Sequence, residues 1–326
     1  MQILRNPNFD FLRWRWVAIA VSSVVLVGGI AMMVARGIPL GIDFSGGTAI
    51  VVEGAAEDEV RRALDPLPGE KIVQQYDDPS LGQVLIRLPQ AEGTEQGASL
   101  EQDSLRIEQA LASAGLTTTI VQRDLVGPAI GEDLQRRGIY ATLASLFAIM
   151  LYIAFRFRFT FAVGAVVATF HDILVTLAFL TFFGYELSLN VVAALLTIGG
   201  YSVNDTIVIF DRVRENMRAL RREPLDRIVN LSVNQTLART IITSGTTFAA
   251  VLSLYLFGGE ALRAFAFTLL VGVVTGTYSS VFIASAIAIL LSQGRRRTPG
   301  VATAATPVAK EAPTPQGRKQ RRARAS

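Results

Sequence analysis

Residues 160–183 read TFAVGAVVATFHDILVTLAFLTFF, and this run decides the fold class of the chain. Its only ionisable side chains are those of His171 and Asp172. A helix of about 20 apolar residues crosses a hydrocarbon core of roughly 30 Å, so the run predicts a membrane span. Five further runs share this character, and together they predict a polytopic α-helical membrane protein with six transmembrane helices. The predicted spans are residues 16–35, 138–155, 160–183, 188–210, 240–258 and 264–291.

The arginines predict how the spans are oriented. They gather before the first span, between the second and third, after the fourth and after the sixth, and these places fall on one side of the membrane. The positive-inside rule makes that side the cytoplasm, so we expect a bacterial inner-membrane protein with both termini cytoplasmic. The clustered arginines are Arg5, Arg13, Arg15, Arg156, Arg158, those from Arg212 to Arg227, and those from Arg295 to Arg297.

The two ends of the chain carry much of this charge. Residues 1–15 form the predicted cytoplasmic N-terminus, and residues 292–326 form a basic tail whose Gly, Ala, Thr, Pro and Arg content predicts disorder. The tail could contact anionic lipid or ribosomal RNA, but a solvated tail is the favoured interpretation. Because topology explains the net charge of +4, no nucleic-acid partner is expected.

The longest loop, residues 36–137, lies on the opposite side and is large enough to fold as an extracytoplasmic domain. Strands are predicted at 48–53, 71–76, 83–88 and 117–125, with helices at 57–65 and 100–114. The order βαββαβ is that of a ferredoxin-like α+β domain.

Ionisable side chains occur within the spans, where insertion costs about 2.5 to 3.5 kcal/mol for an Asp or Arg at a helix centre. His171 and Asp172 lie in the third span, Asn204 and Asp205 in the fourth, and Arg239 at the entry of the fifth. Two interpretations stay open. Asp205 pairs with Arg239 and Asp172 with His171 for structural reasons, or the desolvated carboxylates form a proton relay.

Small residues predict close packing around these groups. Asp172 shares its helix face with Gly164, Ala168 and Thr176, and the fourth span carries the pair Gly199-Gly200. The last span contains Gly272 and Gly276, a GxxxG pair that lets helix backbones approach closely.

An enzymatic function is disfavoured. Aspartates on neighbouring spans are typical of intramembrane aspartyl proteases, but the glycines of that class are misplaced because Gly199 and Gly200 lie too far ahead of Asp205. The chain has no cysteine, and the glycine-rich segment 41–47 lacks the lysine of a phosphate-binding loop. We therefore expect neither catalysis, nor a cofactor, nor a metal, and we interpret segment 41–47 as a tight connection between span and domain.

Several motifs, in order along residues 5–292, resemble the SecF branch of the SecD/SecF family within the resistance-nodulation-division superfamily. The first follows span 1 and contributes Gly41, Asp43, Gly46 and Gly47 to GIDFSGGT. The others are VGP at 126–128, HD at 171–172, YSVNDTIV at 201–208, FDRVRE at 210–215 and NQTLART at 234–240.

The resemblance implies that the chain is one six-span half of a twelve-span complex whose other half is SecD. The resemblance further implies association with the SecYEG channel and the SecA motor, and it implies YidC and YajC as further partners. The complex would use the proton-motive force to draw preproteins outward late in translocation. The family's proton-path aspartate and arginine match Asp205 and Arg239. Protonation of Asp205 would then weaken its pairing with Arg239 and shift the helices. The alternatives are a passive translocon scaffold or an exporter of small molecules or lipids.

Overall fold

The structure is a computed structural model that describes residues 7–68, 71–76, 82–88, 98–157 and 159–296. Within these residues six helices are long and apolar enough to cross a membrane, which confirms the predicted fold class. The helices are α1 (Arg15–Arg36), α2 (Ile42–Ser45), α3 (Glu57–Leu64), α4 (Ala98–Ser113), α5 (Pro128–Arg156), α6 (Phe159–Phe183), α7 (Leu189–Ala219), α8 (Leu225–Phe257), α9 (Glu260–Ser279) and α10 (Ser285–Arg296). A π-helical stretch, Ser280–Ala284, joins α9 to α10.

Several helices are longer than the predicted spans. Helix α5 begins at Pro128 rather than 138, and α8 begins at Leu225 rather than 240. Arg239 therefore lies well inside α8 and not at the entry of a helix. The reason is that charged turns beyond the hydrocarbon core lower the hydropathy of a segment without ending its helix. Proline at the first position of α5 also suits a helix start, because its missing N–H is not needed there.

The end of the chain also differs from prediction. Residues up to Arg296 continue α10, whereas disorder was predicted from residue 292. The predicted tail over 297–326 and the arginines Arg5 and Arg158 lie outside the described residues.

The loop domain contains β1 (Gly47–Glu53), β2 (Ile72–Tyr76), β3 (Gln83–Leu88) and β4 (Thr119–Val126) in one antiparallel sheet of order β2-β3-β1-β4. With α3 and α4 between the strands, this is the predicted ferredoxin-like arrangement. One face of the sheet, with Ile50 and Ile86, packs under the helices against Val60 and Ile107. The other face, with Val51, is buried as well, so β1 is covered on both sides.

Small residues bring the membrane helices into close contact. A Cβ atom added at Gly29 of α1 would lie 2.4 Å from the Cβ of Ala178 on α6, and one added at Gly164 would lie 2.8 Å from the Ala284 carbonyl oxygen. By contrast, a Cβ added at Gly28 would meet nothing within 4 Å. Glycine at position 29 therefore sets how closely α1 approaches α6.

These adjacent glycines give a matched pair of variants. We expect Gly29→Ala to lower the free energy of unfolding by about 1–3 kcal/mol, because the added methyl group pushes α1 from α6. Gly28→Ala should be neutral or slightly stabilising, since alanine favours a helix over glycine. Thermal unfolding midpoints in detergent measure both, and equal midpoints for the two variants would contradict the packing described here.

Candidate functional site in the membrane helices

Asp172 on α6 is fully buried and fully hydrogen-bonded. Its Oδ2 accepts from the Ser202 hydroxyl of α7 at 2.5 Å and from the Ser279 hydroxyl of α9 at 2.7 Å. Its Oδ1 lies 3.0 Å from Nδ1 of His171. Two hydroxyls donate to the carboxylate, and the His171 ring donates as well when its proton is on Nδ1. One side chain thus joins α6, α7 and α9.

His171 extends this cluster towards Tyr278. Its Nε2 is buried without a hydrogen-bond partner among the described residues, and its ring lies beside that of Tyr278 at a centroid distance of 6.4 Å. The Tyr278 hydroxyl donates to the Ala18 carbonyl oxygen of α1 at 2.8 Å. The predicted contact between His171 and Asp172 is therefore present as a hydrogen bond.

Asp205 on α7 has a different environment. It is 4% exposed, and its carboxylate accepts a long hydrogen bond of 3.4 Å from the Ser244 hydroxyl of α8. The Ser244 hydroxyl also lies 2.7 Å from that of Thr277 on α9. Arg239 acts on Asp205 through its charge, but the two form no ion pair within 4.0 Å. The predicted Asp205–Arg239 contact is thus an interaction at a distance, because Arg239 is exposed on α8.

Further hydroxyls lie where α7 meets the last membrane helix. Thr206 and Ser280 share a hydrogen bond of 2.8 Å, and Ser280 also donates to the Ser202 carbonyl oxygen at 3.2 Å. Ser280 opens the π-helical stretch, a widened turn that is often found at functional sites. Side chains of α6, α7, α8 and α9 together form a polar centre that contains both carboxylates.

The predicted packing glycines divide into two groups. Gly272 and Gly276 of α9 approach α7 closely, since Cβ atoms added there would lie 2.2 Å from Ile198 and 3.1 Å from Ser202. Gly199 faces the bundle, with its nearest neighbours at an ordinary 3.8 Å. Gly200 meets nothing within 4 Å and, like Asn204, is exposed in this chain.

The motif after α1 fastens the loop domain to the start of α7. Gly41 donates its N–H to the Leu187 carbonyl oxygen at 2.8 Å, and Leu187 donates to the Pro39 carbonyl oxygen at 2.7 Å. Asp43 accepts from the N–H of Leu189, the first residue of α7, at 2.9 Å. A carboxylate at this position satisfies an otherwise free N–H and favours the helix dipole.

The two glycines that end this motif have a conformational role. Gly46 and Gly47 have φ of 69° and 128°, which residues with a side chain rarely adopt. They turn the chain from α2 into β1. In addition, α5 passes so close that a Cβ atom added at Gly131 would lie 3.0 Å from the Phe44 carbonyl oxygen.

An ion pair makes a second connection between the domain and the helices. Arg87 on β3 pairs with Glu186, just before α7, and both side chains are 19% exposed. Burial lowers the pKa of Arg87, while the charges of Asp43, Tyr76 and Asp124 oppose this shift. The sheet of the loop domain is thereby fixed against the N-terminal end of α7, the helix that carries Asp205.

Sequence reasoning missed several of these residues. Ser202, Ser244 and Ser279 are ordinary small residues in a span, and only the fold shows that they face carboxylates. Arg87 gave a weak signal, since it is a charged residue in an otherwise apolar strand whose neighbours are mostly buried.

These features define a multi-pass membrane protein with one folded loop domain and a polar centre between its helices. The family described as "Protein export membrane protein SecD/SecF, C-terminal" matches residues 106–294, and the "SecD/SecF GG Motif" matches residues 31–54. The chain belongs to the SecD/SecF family, which confirms the resemblance seen in the sequence motifs.

The relatives of the chain carry consistent names. Protein translocase subunit SecF of Rhodothermus marinus is 43% identical, with 91% of this chain and 98% of the relative covered. SecF of Escherichia coli O157:H7 is 40% identical, with 88% and 89% covered. Protein translocase subunit SecDF of Thermus thermophilus is 38% identical, with 90% of this chain but only 40% of the relative covered.

Solved structures of SecDF also resemble this chain. The crystal structure of SecDF from Thermus thermophilus, described as a translocon-associated membrane protein, matches with a TM-score of 0.78 at 36% identity. The match covers 88% of this chain and 39% of that one. A SecDF structure in a super-membrane-facing form matches with a TM-score of 0.67 at 37% identity. The chain therefore spans about two fifths of the solved SecDF chains.

Because the two aspartates have different environments, we expect their substitution by asparagine to affect the stability of the protein differently. Asp172→Asn replaces an acceptor oxygen by an NH₂ group, so it should lower the free energy of unfolding by about 1–3 kcal/mol. Asp205→Asn should change the stability little, because only one hydrogen bond of 3.4 Å is affected. Thermal unfolding of both variants in detergent tests this, and a larger loss for Asp205→Asn would contradict it.

Proposed function

We propose that the chain is the SecF half of a SecD/SecF complex and uses the proton-motive force to assist late preprotein translocation. The observation that carries this proposal is Asp205, a buried carboxylate in a membrane helix that forms no ion pair with any other described residue. Such a carboxylate can take up and release a proton without breaking a salt bridge. A membrane potential of 100 mV supplies about 2.3 kcal/mol per charge, which is enough to bias a conformational change. This role is one of transport rather than catalysis.

Protonation of Asp205 would act on the helices that surround it. A neutral carboxyl group interacts differently with Ser244 and with the distant charge of Arg239, both on α8. Because Ser244 also contacts Thr277 of α9, a change at Asp205 alters the packing of three helices. This replaces the simpler hypothesis in which a direct Asp205–Arg239 pair breaks.

Helix α7 would carry this change to the loop domain. Asp205 follows Leu189 by sixteen residues, which corresponds to about 24 Å along a helix. Leu189 is held by Asp43, and Glu186 just before it is held by Arg87 of the sheet. A shift or tilt of α7 would therefore move the domain, whose role in this proposal is to act on the emerging preprotein.

The names of the relatives support the partners in this proposal. They are called protein translocase subunits, and one solved relative is described as translocon-associated. We infer that SecYEG, SecA, YidC and YajC are the surrounding partners, and that protons are the transported ions. The arginines beside the spans favour an inner-membrane location with cytoplasmic termini and an extracytoplasmic domain.

We infer further that SecD covers the exposed polar face of α7 and α8. Asn204, Gly200 and Arg239 are exposed in this chain, and the hydroxyl of Tyr201 is buried without a partner among the described residues. Polar groups at membrane depth normally face protein or an aqueous cavity rather than lipid. The solved SecDF chains contain both this part and a longer remainder, which supports SecD as the covering partner.

The proton coupling is tested with Asp205→Asn in vesicles that contain SecD and the translocon. We expect this variant to lose all stimulation of late translocation by the proton-motive force while assembly with SecD is kept. Glu215→Gln, which removes an exposed charge on the same helix, is the matched control and should retain the stimulation. Equal stimulation in both variants would contradict the relay and favour a passive scaffold.

The SecD interface is tested with Gly200→Leu. We expect the added side chain to separate α7 from SecD and to reduce the amount of SecD that copurifies at least several-fold. Gly28→Leu is the control, because Gly28 is also exposed in a membrane helix but lies on α1, which packs against α6. Loss of SecD from the control alone, or from neither variant, would place the interface elsewhere.

A further inference from the structure

A separate cavity lies at the arginine-rich end of the membrane helices. It has a volume of about 460 Å³ and is formed where α5 ends, α6 begins and α7 extends beyond its apolar part. This volume is in the range of about 300 to 1,000 Å³ that is usual for small-molecule sites. The proposed proton path and the SecD-facing residues do not line it, so its role needs a separate explanation.

The inner wall of this cavity is aromatic. Phe210 of α7 makes edge-to-face contacts with Phe161 at a centroid distance of 5.0 Å and with Phe157 at 6.1 Å. All three rings are at least nine-tenths buried, and Met217 packs against the same cluster. The wall is therefore rigid and apolar, which suits hydrocarbon rather than a soluble polar ligand.

The rim of the cavity is cationic. Arg214 and Arg218 are exposed one turn apart on α7, and neither forms an ion pair with another described residue. Arg156 also lines the rim, and its partner Asp211 lies 2.8 Å away. Three arginines thus oppose one aspartate, while the nearby Arg212 and Glu215 neutralise each other. The rim therefore has a net positive charge, which a phosphate group can neutralise.

The surroundings place the cavity at the edge of the lipid bilayer. Phe155, which also lines it, is 84% exposed, and Phe159 at the start of α6 is 71% exposed. Large apolar side chains with this exposure, next to arginines at the end of a span, are typical of the region where lipid tails meet head groups. Basic pockets between helices in this region bind the head groups of anionic lipids.

We propose that this cavity binds one anionic phospholipid. The phosphate contacts Arg214 and Arg218, and the first part of an acyl chain lies against Phe157, Phe161 and Phe210. A soluble phosphate compound would contact only the rim and make no use of the aromatic wall. A zwitterionic lipid would use only the wall, because its positive head group opposes the arginines.

The test uses the full chain in detergent and native mass spectrometry with added phosphatidylglycerol. Changing both arginines, Arg214→Gln with Arg218→Gln, should weaken lipid binding roughly thirtyfold, since each arginine near an anionic membrane surface strengthens binding about fivefold. The matched control is Arg221→Gln with Arg222→Gln, which removes two exposed arginines of the same region that do not line the cavity. The control should bind as the wild type does.

Three further measurements complete the design. Arg214→Lys with Arg218→Lys keeps the charge and should retain most of the binding, and thermal unfolding midpoints should be unchanged in all variants. Phosphatidylcholine should bind at least tenfold more weakly, and inorganic phosphate should not displace the lipid. Equal losses in the test and control variants, equal binding of phosphatidylcholine, or displacement by phosphate would each overturn the proposal.

Discussion

The absence of water at membrane depth is the constraint on which this structure depends. A carboxylate there must receive its hydrogen bonds from the protein, and Asp172 receives them from His171, Ser202 and Ser279. Because these donors lie on three helices, the carboxylate can be satisfied only when α6, α7 and α9 are packed together. Glycines on α9 make this possible, since only a small residue at 276 lets Ser202 approach. The polar group and the close packing therefore require each other.

The same constraint separates the two aspartates. Asp172 has three hydrogen-bond partners that hold it in place within the bundle. Asp205 accepts one long hydrogen bond and interacts with the charge of Arg239 only at a distance. A conformational switch requires one group that stays in place and another whose contacts can change. Asp172 and Asp205, on neighbouring helices, fit these two roles. Helix α7 connects Asp205 to Asp43 and Arg87 at its N-terminal end, so the loop domain is attached to the helix whose environment would change.

The sequence predicts the elements better than it predicts their contacts. Six spans and a βαββαβ domain follow from hydropathy and alternation, which depend on local composition. The start of α8 at Leu225 was missed because charged helical turns resemble a loop in a hydropathy profile. The distance between Asp205 and Arg239, and the serines around both aspartates, depend on how α7, α8 and α9 rotate against one another. Composition contains little information about that rotation. Arg87 and Glu186 are 99 residues apart in the sequence, and no local pattern indicates such a pair.

Exposed polar side chains lie near Asp205, whereas the surroundings of Asp172 are buried. Around Asp172 the described helices supply every donor that the carboxylate needs, and the surrounding residues are buried. Around Asp205 the next turns of α7 and α8 expose Asn204, Gly200 and Arg239, and Tyr201 lacks a partner within the described part of the chain. An arginine exposed to lipid is costly, so in the proposed complex the helices of SecD would determine where the charge of Arg239 lies. The electrostatic environment of Asp205 would then be a property of both chains. A purified single chain would keep the fold around Asp172 but would not report the behaviour of Asp205 in the complex.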